Sequence, residues 1–527
     1  MSMKRRQTVL VALLAIGSAA LVFRPVAYAA SSDEDMINGI RAITDAYSLI
    51  EKNFADPVSS EQVLYQGAIP GMLHTLDPHS NFLDPDEWRE AQRRQSAQYY
   101  GVGMELTTDG DAVVVGQPFP NSPAAGVGLR RGDIIIGVDK QDVHMLDLGA
   151  VANLLRGPRG TQVTVTVQRE GFAQPISFTV TRAAIQTSLV DAFWLKPGIA
   201  YLKITSFESQ SVAPDVEAAL KRLGESTING LVLDLRENPG GLVTDAVSVA
   251  GRFLRSGQTV VSHRGRAEAE QVFRAKPQAE GQKYPIVVLV NRRSASAAEI
   301  VAGALQDHDR AWILGETTFG KGLVQGQYEL SEGAALVLTI AHYYTPSGRL
   351  IQRDYQHRSF FDYYYAGRND GPNLADVKAT DSGRKVFGGG GITPDEQFNP
   401  PHYSLFERRL AASGALFHFG SVYFSGKNPQ LPENWVPDNA AIEKFRAYLR
   451  DLQFPVTDQE FSADRQFVSD QIRFELYRRA FGRQDADRAA IQSDPEVGQA
   501  IDSMPKAQAL FQEVQRVLAQ RSPLRQR

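Results

Sequence analysis

Gly230-Leu231-Val232-Leu233-Asp234-Leu235-Arg236-Glu237-Asn238-Pro239-Gly240-Gly241 begins as a nearly continuous apolar run and stops on a Pro-Gly-Gly turn. An apolar run of strand length without alternation is buried on both faces, as inside a parallel sheet covered by helices. Working outward, the same grammar repeats. A helix-like segment runs from Thr244 to Leu254, and the next strand from Pro285 to Val290. Ser294-Ala295-Ser296-Ala297-Ala298-Glu299 then opens a small-residue helix to Leu305, followed by a strand from Ala311 to Leu314 and a loop from Gly315 to Gly322. Strands and helices alternate across residues 184–400, which is α/β organisation with the working loops at strand ends.

The flanks read differently. Residues 99–183 are a β-rich module: a glycine-rich start at Gly101-Val102-Gly103-Met104, short strands, and a turn at Asn121-Ser122-Pro123-Ala124. A helix-like stretch from Leu148 to Leu155 closes at Arg156-Gly157 and leads into an alternating strand from Thr161 to Arg169. Residues 30–98 are helical, with Met36, Ile40, Ile43, Tyr47 and Ile50 at spacings of three and four on one face. That stripe is packed core if covered and a dimer seam if exposed. Residues 401–527 are charged and mostly helical, and the stripe Leu510, Phe511, Val514, Val517, Leu518 suits packing or oligomer formation. No chemistry is legible there.

Composition narrows the function. A 527-residue chain with 43% hydrophobic and 22% charged residues is an ordinary globular protein of several domains. Lys+Arg 56 against Asp+Glu 60 gives a net charge of −4, which argues against nucleic acid as a partner. There is no cysteine, hence no disulfide, thiol catalysis or thiolate metal site. Lys4, Arg5 and Arg6 precede an apolar run from Thr8 to Phe23 and then Ala27-Tyr28-Ala29, the pattern of a signal peptide over residues 1–29. The run is short of the roughly 20 residues that span a bilayer, so cleavage is expected rather than an anchor. The mature chain is expected outside the cytoplasm, in a bacterial periplasm.

Ser296 stands where a strand ends and a helix begins, where backbone N–H groups and the helix dipole favour developing negative charge. Ser296-x-x-Glu299 is equally a capping box, and the segment by itself favours the cap. A base is needed. His308 lies twelve residues along the same helix, about 18 Å away. Lys321, in Phe319-Gly320-Lys321-Gly322 after the next strand, shares a rim with Ser296 if the strands are parallel neighbours. A lysine base must be neutral, which takes a shift of about 3 pKa units, or about 4 kcal/mol, within reach of burial. A solvated turn lysine is the alternative. Gly315-x-x-x-x-Gly320-Lys321 also approaches a phosphate-binding loop. Gly322 stands where a Ser or Thr must hold magnesium, and residues 323–328 alternate like a strand, which excludes it. Pro239-Gly240-Gly241 is a turn whose glycines let backbone N–H groups approach a ligand, with Ala297 N–H as a second donor. Leu76-Asp77-Pro78-His79-Ser80 reads as a turn capped by Asp77, not a metal site. No G-x-S-x-G supports an esterase.

Taken in order, these residues resemble the carboxyl-terminal processing proteases. The resemblance is carried by residues 294–300, by residues 315–322 with Gln325, by residues 233–241, by Leu76-Asp77-Pro78-His79-Ser80 and by Gly391-Ile392-Thr393-Pro394-Asp395. Residues 99–183 resemble a PDZ domain. The resemblance spans roughly residues 33 to 400 and implies a multidomain α/β (α+β) fold, a crotonase/Clp-protease-like core with a PDZ β-sandwich module and helical N- and C-terminal regions. It implies a Ser296–Lys321 dyad with Gln325 positioning the lysine, an oxyanion hole from Gly240, Gly241 and Ala297, and no metal or cofactor. Gly101, Val102, Gly103 and Met104 would receive a chain-terminal carboxylate, with Arg156 linking the docked tail to the core. The expected partners are envelope or misfolded proteins with apolar C-termini and further copies of the chain, and an adaptor protein is compatible with this reading. A catalytically inactive PDZ scaffold is the alternative, and the joint presence of Ser296, Lys321 and Gln325 speaks against it.

Overall fold

The computed structural model describes residues 33–95, 98–110, 112–186, 189–267, 269–277, 282–355, 360–364, 374–424, 430–432 and 434–521. The expected signal peptide lies outside the described residues. The described residues through Met72 form one compact unit and those from Leu73 a second.

The apolar runs become the centre of the second unit. Strands β1 (Val190–Lys196), β2 (Ile199–Ile204), β3 (Gly230–Asp234), β4 (Ile286–Val290), β5 (Trp312–Gly315) and β6 (Glu396–Gln397) lie in that order in one sheet, parallel from β2 onward. Every residue of β3 and β4 is buried. Side chains alternate between two apolar layers. Leu231, Leu233, Ile286, Val288 and Ile313 pack with helices α1 (Val212–Arg222), α2 (Val243–Phe253) and α3 (Ala297–Asp307). Val232, Val287, Leu289 and Leu314 face the other way, against α4 (Pro495–Asp502) and α5 (Met504–Arg521). The C-terminal tail therefore supplies the second covering layer that a parallel sheet requires. Leu510 and Val514 of its apolar stripe are buried.

A second sheet runs Asn81–Leu83, Ala335–Tyr344, Thr259–Gly265, Gln271–Arg274, and Leu323–Glu329 also pairs with Ala335–Tyr344. It brings residues 77–80 beside the strand that carries Gln325. The PDZ module forms an antiparallel sheet of Met104–Asp109, Ala112–Pro118, Ile134–Val138, Gln162–Gln168 and Ile176–Thr181, with Met104–Asp109 at its edge. Leu148–Leu155 is a helix, as the sequence predicts, capped by Asp147. The turn read at residues 121–124 runs into a short helix, Pro123–Gly126, capped by Ser122. The first half of the tail is a helical cluster around Phe406, Phe419, Phe445 and Phe461.

In the first unit, Met36, Ile40, Ile43 and Ile50 of helix Asp33–Asn53 are 41–59% exposed, while Tyr47 of the same stripe is half-buried. Among the described residues no helix is long and apolar enough to cross a membrane.

Candidate active site

Ser296 sits between β4 and α3 with φ 54° and ψ −113°, a conformation that costs a side-chain-bearing residue energy and persists only where neighbours enforce it. The neighbours are visible. Gly240 packs so tightly that an added Cβ would lie 2.7 Å from Ser296 Cβ and 2.9 Å from Ala297 N. Ala295 N–H donates to Asn238 O at 2.9 Å. Buried Ser294 donates its hydroxyl to Leu235 O at 2.8 Å and accepts from Asn291 N–H at 2.9 Å, so this serine stitches the two loops together. Ser296 is half-buried and forms a capping box with Glu299, whose Oε2 accepts from Ser296 N–H at 2.8 Å.

Two backbone donors on these loops are unengaged among the described residues. Gly241 and Ala297 N–H make no hydrogen bond among the described residues. Gly240 N–H differs from expectation: it is donated to Asn238 Oδ1 at 2.9 Å.

Parallel β4 and β5 put the lysine loop, residues 316–322, on the same rim. One residue joins the two loops. Glu299, with no exposed surface, accepts at one oxygen from Ser296 N–H and Lys321 N–H, each at 2.8 Å. Its other oxygen accepts from Gly320 N–H at 2.7 Å and from the Thr318 hydroxyl. Both backbones are thus held within two hydrogen-bond lengths of each other. Burial pushes the Glu299 carboxyl above its ordinary range, while the Thr318 hydroxyl and the three N–H donors pull it back. Sequence reading found Glu299 as a cap but not as this bridge.

Lys321 Nζ donates to Gln325 Oε1 at 3.0 Å. Burial lowers the lysine's pKa, with Asp77 and Glu299 acting against it. Gln325 is aimed in turn by its Nε2, which donates to His79 O at 2.5 Å. Here the Asp77 turn gains a role that its local pattern conceals. Its carboxylate does cap, accepting from His79 N–H at 2.7 Å, Ser80 N–H at 2.8 Å and the Ser80 hydroxyl at 2.7 Å. In doing so it presents the carbonyl that orients Gln325. The His79 ring meets Tyr363 Oη at 2.8 Å and packs edge-on against Phe319, Tyr363 and Tyr364. Burial, helped by nearby Lys321, pushes its pKa down to about 4, so the ring is neutral beside the lysine. His308, the histidine nearest Ser296 in sequence, is bound away from the rim, to Asp381 and Thr259 O. Among the described residues no cluster of His, Asp and Glu could hold a metal.

In the PDZ module, Gly101, Val102, Gly103 and Met104 line a cavity of about 190 Å³ with Leu106, Leu148 and Arg156. Gly103 has φ 77°, and an added Cβ would fall 2.5 Å from Ser122 Cβ. The Val102 and Gly103 N–H groups make no hydrogen bond among the described residues. Arg156 stands at the groove's rim and donates to Glu90 Oε1 at 3.1 Å, on helix Pro85–Gln95 outside the module.

Known families match in the same places. The model of peptidase family S41 matches residues 198–356, a PDZ domain residues 114–169, and the activating protease CtpB N-terminal domain residues 21–87. Fold and site thus define a serine-type peptidase with a PDZ domain. The chain is 36% identical over 453 residues to a carboxy-terminal-processing protease of Bartonella bacilliformis, covering 83% of this chain and 95% of that one. A carboxyl-terminal-processing protease of Synechocystis sp. is 37% identical over 312 residues, 58% of this chain and 72% of the relative. A solved photosystem II D1 C-terminal processing protease shares 30% identity, covers 69% of this chain and 89% of its own, and superposes with a TM-score of 0.37. This chain belongs to the carboxy-terminal processing proteases.

Proposed function

We propose that the chain is an exported endopeptidase that holds substrate C-terminal tails in its PDZ groove and cleaves by a Ser296/Lys321 dyad. The observation that carries the dyad is the buried Glu299 carboxylate, whose one oxygen accepts from both the Ser296 and the Lys321 amides. Ser296 Oγ bonds to the scissile carbonyl carbon as its proton passes to neutral Lys321 Nζ, which Gln325 aims. The carbonyl oxygen becomes an oxyanion facing the free N–H groups of Gly241 and Ala297. Gly240 acts through its missing side chain, since its amide is already engaged. The lysine ammonium gives its proton to the leaving amine as the C–N bond breaks. Water then adds to the acyl-enzyme, passing a proton to Lys321, and Ser296 departs with it.

The free Val102 and Gly103 N–H groups suit a terminal carboxylate, and the edge strand Met104–Asp109 can accept an added substrate strand. The leader over residues 1–29 supports action in the periplasm on envelope or misfolded proteins with apolar C-termini. The exposed Met36, Ile40, Ile43 and Ile50 of helix Asp33–Asn53 support a homo-oligomer, and an adaptor that delivers substrates fits the same scheme. The test is to incubate wild type and Ser296→Ala with an unstructured protein ending in apolar residues. The variant is expected to stay folded, because a lost cap costs only about 1 kcal/mol, and to leave the protein uncut. Cleavage by Ser296→Ala at the wild-type rate removes Ser296 from the mechanism.

A further inference from the structure

The tail residues that close the core sheet also reach the loops of the site. Arg236 follows β3 and begins the loop that carries Gly240 and Gly241. Its guanidinium lies between Asp234 Oδ2 at 2.7 Å, Asp494 Oδ2 at 2.8 Å and Glu496 Oε2 at 2.8 Å. Asp234 is fully buried and also takes the Tyr201 hydroxyl at 2.6 Å and Lys203 Nζ at 3.1 Å, while Lys203 donates to Arg236 O at 2.7 Å. The two tail carboxylates thus hold the outer edge of a guanidinium whose inner edge is fixed on β3. Asp494 divides its oxygens: Oδ1 caps α4, accepting from Glu496 N–H at 2.8 Å, and Oδ2 holds Arg236. Glu496 is buried, and its second oxygen abuts the other loop. An added Cβ on Gly315, the last residue of β5 and the start of the lysine loop, would lie 2.9 Å from Glu496 Oε1.

We infer that Asp494 and Glu496 are positioning residues for the reaction, and that the tail sets the spacing between the oxyanion loop and the lysine loop. Arg236 is bidentate to Asp234 through Nε and Nη2, and both tail carboxylates meet its Nη1. Such charge-assisted contacts are short and directional, so together they fix the origin of the oxyanion loop better than chain connectivity can. Small displacements matter there. An error of about 1 Å in a reacting geometry can cost about a hundredfold in rate. This inference rests on the Ser296/Lys321 reading. It is separate from docking of the tail as such, because Arg488 of the same tail pairs with Asp191 on the far edge strand β1 at 3.0 Å and touches neither loop.

The experiment compares full-length wild type, Glu496→Ala, Glu496→Gln, Arg488→Ala and Ser296→Ala for peptide cleavage, labelling by a fluorophosphonate and thermal unfolding. Glu496→Ala is expected to lower kcat between about tenfold and a hundredfold with KM within about twofold, and to slow labelling in step. Glu496→Gln keeps an acceptor for Arg236 and should recover part of the loss. Arg488→Ala should keep wild-type kcat. If Glu496→Ala does not fold, Glu496→Gln carries the test, with a fall of about threefold or more in kcat expected. A folded Glu496 variant with wild-type kcat, or an equal loss in Arg488→Ala, overturns the inference. Cleavage or labelling that survives Ser296→Ala overturns the underlying dyad reading instead, and the two failures are distinguishable.

Discussion

Replacing Glu299 by glutamine changes one atom in the residue that ties together the loops carrying Ser296 and Lys321. Four donors converge on its carboxylate: the amides of Ser296, Gly320 and Lys321, and the Thr318 hydroxyl. An amide has one acceptor oxygen and one NH₂ group, so half of this set must face a donor. If the NH₂ turns toward Ser296 and Lys321, two buried N–H groups lose their acceptor. At about 1–3 kcal/mol for each orphaned group, that orientation costs about 2–6 kcal/mol. If it turns toward Gly320 and Thr318, one N–H is orphaned and the hydroxyl can rotate to accept, although it already accepts from Ile392 N–H at 2.7 Å. That orientation costs about 1–3 kcal/mol and should be adopted. The lysine loop then moves relative to Ser296, and kcat should fall by about a hundredfold. The assays are thermal unfolding of Glu299→Gln and steady-state cleavage of a peptide with a free C-terminus. A lowered unfolding temperature with a large loss of kcat is expected. Wild-type kcat and unchanged unfolding would refute the claim that this carboxylate holds the dyad together.

Two further outcomes follow from the same geometry. Burial lowers the Lys321 pKa, and in the proposed dyad its neutral form is the base, so kcat/KM should rise with pH through that lowered pKa and fall as the lysine protonates below it. Lys321→Arg, which stays charged, should be folded and inactive, and a folded arginine variant with near wild-type turnover rules out the base role. Amidating a substrate's C-terminus should slow cleavage sharply, because the free N–H groups at Val102 and Gly103 lose their carboxylate, and Arg156→Ala should slow free-acid peptides while leaving Ser296 reactive to a fluorophosphonate. Equal rates for free-acid and amidated peptides would leave the PDZ module without a part in recognition.

What the sequence determined by itself is what contiguous residues can encode. Unbroken apolar runs fall on β3 and β4, which are buried throughout, and the alternation after Gly322 becomes the strand Leu323–Glu329. The cap at Asp77 is real. Ordered motifs around Ser296, Lys321 and Gln325 carry the family resemblance. Pattern also left questions that it could not answer. The stripe of helix Asp33–Asn53 has helical spacing whether covered or bare, and only the structure shows Met36, Ile40, Ile43 and Ile50 exposed. The tail carried a legible packing stripe, yet nothing in it announces that it roofs the central sheet or that Glu496 meets Arg236 across 260 residues. Ser296-x-x-Glu299 looks the same whether the carboxylate caps a helix or also gathers the amides of Gly320 and Lys321. Periodicity follows from the geometry of one segment, and so is written in order along the chain. The partner of a buried carboxylate, and the burial that lowers a lysine's pKa, are properties of space between segments, and only their packing decides them.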